Sequence, residues 1–127
     1  MRKYFSIIVP FFFLALLFSC QEEANDDQSK ATIIGIWDLE KANRNGKPTE
    51  TLNNMRMEFV SQDSMFSNLQ GSRERQSYYI EDNTIFPSGA RMNPEYKIIT
   101  LNDSLLKLQM VIKDIPFDLE FKRNSSN

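Results

Sequence analysis

The chain reads as one all-β domain, a short up-and-down antiparallel barrel of eight strands, closed or half-open. Short runs of β-branched and aromatic residues succeed one another, separated by polar breaks and with no convincing helical stretch. The breaks carry turn-forming pairs, Asn45-Gly46, Asp82-Asn83 and Asn102-Asp103. Several runs also alternate strictly, so the sheet is apolar on one face. A sheet that curls on itself hides that face and removes its free edges.

The domain does not begin at residue 1. Met1-Arg2-Lys3-Tyr4 is a basic start, and Phe5 to Phe18 is an apolar run of 14 residues interrupted by Pro10. A membrane span needs about 20 apolar residues, so residues 1–19 read as a secretory signal. The segment Leu17-Phe18-Ser19-Cys20 resembles the lipobox of bacterial lipoproteins. The resemblance implies that Cys20, the only cysteine, becomes the diacylated first residue of the mature protein. A plain secretion signal or a short uncleaved anchor is the competing reading. Residues 20–31 are the lipidated cysteine and a disordered tether, because Gln21 to Ala31 holds four carboxylates and no hydrophobic period. Glu22-Glu23 resembles the surface-export signals of some Gram-negative lipoproteins, and an ordinary spacer reads as well. The expected location is therefore a membrane of a Gram-negative-type envelope, the outer one, with periplasmic and surface faces both open.

From Thr32 onward the strands follow in order. The first runs to about Ala42 and stops at Asn43 to Pro48. Met55 to Phe59 alternates, with Met55, Met57 and Phe59 on one face. Met65 to Leu69 fits no single period. Tyr78 to Ile80 and Thr84 to Phe86 flank Asp82-Asn83, and Pro87-Ser88-Gly89 ends the latter strand. Tyr96 to Leu101, Ser104 to Ile112 and Ile115 to Arg123 complete the set, and residues 124–127 are a polar tail. The expected inward set is Trp37, Met55, Met57, Phe59, Tyr78, Ile80, Ile85, Leu106, Leu108, Met110, Phe117, Leu119 and Phe121.

Gly35-Ile36-Trp37 on the first strand, followed by an eight-strand meander to Arg123, resembles the lipocalin family, in particular the small lipocalin-like domains of bacterial lipoproteins. That resemblance implies a barrel base built from Gly35, Trp37 and Arg123, with the guanidinium across the indole face. Position 123 has the parity of Phe117, Leu119 and Phe121, as that contact requires. A guanidinium over an indole contributes about 0.5 to 2 kcal/mol, depending on burial.

The charge pattern and missing residue types exclude several functions. Without Arg2 and Lys3 the chain has 13 basic and 17 acidic side chains, a net charge of −4. With no basic cluster it has no electrostatic footprint for nucleic acid. The absence of histidine rules out histidine triads and histidine metal sites. Ser104 and Lys107 have Ser-x-x-Lys spacing, but on a strand they face opposite ways. No catalytic residue, metal ligand or cofactor is expected.

Two functions compete. In the first, the apolar interior binds a small hydrophobic ligand through Met55, Met57, Phe59, Tyr78, Ile80, Leu106, Leu108, Met110, Phe117, Leu119 and Phe121, the methionines adapting to varied guests. In the second, the core is filled and the domain is an envelope or cell-surface protein-interaction module, with Tyr79, Phe86 and Met92 as contact residues. Asp63-Ser64-Met65 and Asp103-Ser104-Leu105 also resemble the O-glycosylation acceptor of some Gram-negative secretory systems.

Overall fold

A computed structural model of the protein describes residues 32–125. The expected signal peptide, Cys20 and the expected tether lie outside the described residues. Nine strands form one sheet: β1 (Gly35–Arg44), β2 (Lys47–Pro48), β3 (Arg56–Phe59), β4 (Ser64–Ser67), β5 (Glu74–Glu81), β6 (Thr84–Ser88), β7 (Tyr96–Leu101), β8 (Leu105–Ile112) and β9 (Ile115–Arg123). Each strand from β3 pairs antiparallel with the next, and β1 pairs with both β3 and β9. The sheet thus closes into an eight-stranded barrel, and the half-open alternative is set aside. β2 is an extra two-residue strand outside the ring, paired to the end of β1 across Asn45-Gly46, both at positive φ.

Boundaries differ from expectation where the chain bends or where a polar residue points inward. Thr32 and Ile33 are helical in backbone, and β1 begins only at Gly35, with φ +141°. β1 then runs past Ala42 to Arg44, because Asn43 and Arg44 pair with Asp118 and Phe117 of β9. β4 ends at Ser67 and leaves Leu69 in a turn. β5 begins at Glu74, ahead of the expected Tyr78, since Glu74 to Ser77 pair with β4. β6 continues through Pro87 to Ser88 as far as β5 is concerned. Toward β7 it pairs only at Thr84 and Ile85. Pro87 has no N–H to donate to that side.

All thirteen expected inward side chains are buried, and Ile33, Ala42, Met65 and Tyr96 join them. One end of the barrel, the base, gathers the start of β1, the end of β9 and the turns after β3, β5 and β7. The opposite end, the mouth, carries the longer loops 49–55, 68–73 and 89–95.

Candidate functional site

Three regions could carry function: the base, the interior and the outer face. At the base, Trp37 and Arg123 are direct partners across β1 and β9. The Arg123 guanidinium carbon lies 4.2 Å from the centroid of the fully buried indole. Arg123 donates from Nε to the Asp103 carbonyl at 2.6 Å, from Nη1 to that of Ile34 at 2.8 Å, and from Nη2 to that of Thr32. The indole Nε1 donates to the Ile33 carbonyl at 2.8 Å. The chain just before β1 is therefore held from both sides, and Ile33 has no exposed surface. A Cβ on Gly35 would stand 2.5 Å from Arg123 Nη1, so the space at Gly35 belongs to the guanidinium. Asn124 belongs to this base rather than to a free tail: its N–H reaches the Ile36 carbonyl and its amide the Asp38 carboxylate.

The eleven residues expected to line a ligand site all point inward, and they pack on one another. Met57, Leu106 and Phe121 have 0% exposure, and Phe59 and Leu108 have 1%. A side chain with almost no accessible surface borders no open space inside the barrel, so these five line no ligand-sized chamber there. Phe117, the most exposed of the eleven at 8%, is paired with Arg44 toward the mouth. Recesses of about 460 and 210 Å³ lie on the outer face, by Thr84, Lys97 and Met110 and by Lys41, Leu108 and Leu119, and one of about 320 Å³ lies among mouth residues such as Leu52, Met55 and Asn68, so of the eleven only Met55, Leu108, Met110 and Leu119 border one.

The inside is not uniformly apolar. Ser67 and Gln76 are buried toward the mouth, where no apolar period could announce them. Ser67 is hydrogen-bonded to Tyr96, whose phenol burial pushes far up. Gln76 donates to Asn93 of the 89–95 loop at 2.9 Å. The same loop is clasped by Arg91, which donates to Glu74 from Nε at 2.8 Å and holds that carboxyl below its ordinary range. Met92 sits here beside Leu69 and Tyr96, away from Tyr79 and Phe86. Nearer the base, Tyr78 donates to the Ser61 carbonyl, and burial, then the nearby Asp63 charge, push its phenol up to about 12. Among the described residues no buried side-chain polar atom lacks a partner.

On the outer face, Tyr79 and Phe86 stack across β5 and β6 at 4.9 Å and 17° between planes. Tyr79 is 53% exposed. On β4 the Phe66 ring is covered by Arg73 at 3.5 Å, and Arg73 also donates to Glu58 at 3.0 Å. Ser64 and Ser104, of the two glycosylation-like triplets, lie on the base side, half-buried and exposed respectively. Ser104 and Lys107 lie on or beside β8 and form no joint site. Among the described residues no group of acidic, cysteine or histidine side chains could hold a metal, and no helix is long and apolar enough to cross a membrane.

No family model matches the chain, and neither curated proteins nor solved structures yield a match.

Proposed function

We propose that this protein is a membrane-anchored, lipocalin-like lipoprotein that acts through its barrel's outer surface as an interaction module of a Gram-negative-type envelope, rather than as a carrier of a hydrophobic ligand. The observation that supports this reading is the contrast between a filled interior and an aromatic, arginine-bearing exterior. Five interior side chains have at most 1% exposure, whereas Tyr79, Phe86 and Phe66 are placed outside with Arg73. Tyrosine, phenylalanine and arginine are enriched where proteins meet partners. The anchor is Cys20 with its acyl chains, at about 0.8 kcal/mol per buried methylene. The likeness to lipocalins rests on Gly35, Trp37, Arg123 and the strand order.

Titration of the protein with long-chain lipids, followed by emission of Trp37, tests the reading. The only tryptophan lies against the interior, so an empty or exchangeable chamber would shift its spectrum, and no shift is expected. Organic extraction of protein taken from its native membrane should likewise give no stoichiometric lipid beyond the acyl groups on Cys20. A bound lipid in that extract would return the interior ligand site to first place. Intact mass of the mature chain checks the anchor separately: a diacylated N-terminal cysteine is expected, and an unmodified residue at 20 would remove the membrane from the proposal.

A further inference from the structure

The chain enters the barrel at the base and is fixed there. Arg123 donates to the carbonyls of Thr32 and Ile34, and the Trp37 indole donates to that of Ile33. Whatever precedes Thr32 must therefore leave from this end. Cys20 stands 12 residues before Thr32, and a stretch of that length reaches at most about 43 Å when fully extended. With acyl chains on Cys20, the base is the end that the anchor keeps within reach of the bilayer.

The base also exposes the apolar surface that such a position can use. Gly35 pairs with Phe59 at the end of the β1–β3 ladder, so Ile34 and Val60 stand at the next step beyond it. Ile34 is 36% exposed and Val60 51%. Exposed apolar side chains scattered singly need no explanation. These two are neighbours, at the point from which the chain departs for its anchor. The charges around them are mostly acidic. Three base turns each present one exposed aspartate, Asp63, Asp82 and Asp103, and none of these is in an ion pair with another described residue. Exposed Glu81 adds a fourth carboxylate, against Lys122 and the half-buried Arg123. A rim of this sign is repelled by anionic headgroups and attracted by ammonium groups, so it suits a zwitterionic lipid surface.

We propose that the base is a membrane-docking surface. Ile34 and Val60 enter the boundary between headgroups and acyl chains of a phosphatidylethanolamine-type bilayer, and its ammonium groups face Asp63, Asp82 and Asp103. Two half-exposed side chains are too little to hold a free protein at a membrane. The link through Cys20 makes the contact intramolecular, and a short link supplies an effective concentration on the order of millimolar. Docking in this sense turns the mouth and the aromatic side of the barrel toward the aqueous phase, where a partner meets them. The inference rests on the acylation of Cys20 proposed above and adds which face the anchored domain lays on lipid.

Trp37 is sealed behind this surface, so the contact is read with probes placed on it. The test uses the full acylated chain in vesicles of phosphatidylethanolamine and phosphatidylcholine. With the native thiol acylated, Val60→Cys and Val111→Cys each offer one free thiol for a nitrobenzoxadiazole label, the second at the exposed mouth end of β8. The label at 60 should emit further to the blue and be quenched by spin-labelled acyl chains, and the label at 111 should do neither. Ile34→Asp, with the label at 60, should lower the ratio of docked to undocked protein by about tenfold while circular dichroism and Trp37 emission are unchanged. Replacing part of the lipid by phosphatidylglycerol should lower it too, and a rise would overturn the zwitterionic assignment. Equal quenching at 60 and 111, or quenching at neither, would overturn the docking surface. If the intact mass of that preparation shows a diacylated Cys20, docking alone has failed. An unmodified Cys20 would remove the anchor and the docking with it, so the two failures are distinguishable.

Discussion

The two ends of this barrel are closed by different physics. At the base, one guanidinium is laid on an indole and bonded to three backbone carbonyls from two separate segments. At the mouth, closure depends on the 89–95 loop, held by an exposed Arg91–Glu74 pair and the Asn93–Gln76 amide contact. The base joins residues nearly a full domain apart in sequence, such as Thr32 and Arg123. The mouth clasp spans fewer residues and borders β6 and β7, which share only two register pairs. Charge in contact with buried aromatic surface is worth more than an exposed pair screened by water. The base should therefore govern global stability, and the mouth should govern only local opening.

The largest way to break this contrast is at Gly35. Gly35→Val places a branched side chain at φ +141° and within the guanidinium's space. Strain of about 1–3 kcal/mol adds to displacement of Arg123, so denaturant unfolding should show a loss of about 3 kcal/mol or more. Arg123→Ala comes next. It removes the cation over Trp37 and leaves the Ile34 and Asp103 carbonyls without their donor. A loss of about 2–3 kcal/mol is expected, with a red-shifted emission and easier acrylamide quenching of Trp37. An unchanged spectrum would mean that the indole is sealed without the arginine.

Tyr78→Phe sharpens the comparison through pH. The folded phenol ionises at about 12 instead of the ordinary 10.0. A raised folded value means that the unfolded chain loses its proton first. The contribution is whole below about pH 10 and is lost as pH rises toward 12. The phenylalanine variant should forfeit about 1 kcal/mol at neutral pH and show a shallower alkaline decline, the remainder coming from Tyr96. The smallest effect belongs to Arg91→Ala. The unfolding midpoint should hardly move, while amide exchange in β6 and β7 quickens. Because Arg91 holds Glu74 below the ordinary carboxylate range, the wild-type clasp is intact above that range and is lost as pH falls through the lowered folded value. The wild-type exchange rates should then approach those of the variant.

The legible parts of this protein were those governed by local period. Phe117, Leu119 and Phe121 alternate with charges and lie inside as expected, and β7 and β9 have the expected bounds. Met65, Phe66 and Leu69 resisted because Phe66 is an apolar ring on the outer face, covered by Arg73, while the inward place between Met65 and Leu69 is taken by Ser67, whose partner Tyr96 is on a distant strand. Gln76 was hidden for the same reason: an amide reads as exposed until Asn93 satisfies it. The start of β5 was missed because Glu74 and Arg75 have no apolar signature and are strand only through pairing with β4. Of the base, Gly35, Trp37 and Arg123 were visible as a motif and a parity, but the part played by Thr32, Ile33 and Ile34 was not. Three carbonyls are the same in every sequence.

Alternation and turn chemistry by themselves determined an all-β meander and which side of each strand is apolar, because both act between neighbours in the chain. Only the tertiary structure decided that the ring closes through β1 and β9. It also decided that the interior is filled and that Ile34 and Val60 stand at neighbouring positions on the rim of the base. Those outcomes depend on register and on volume matched across strands, which no single stretch of chain contains.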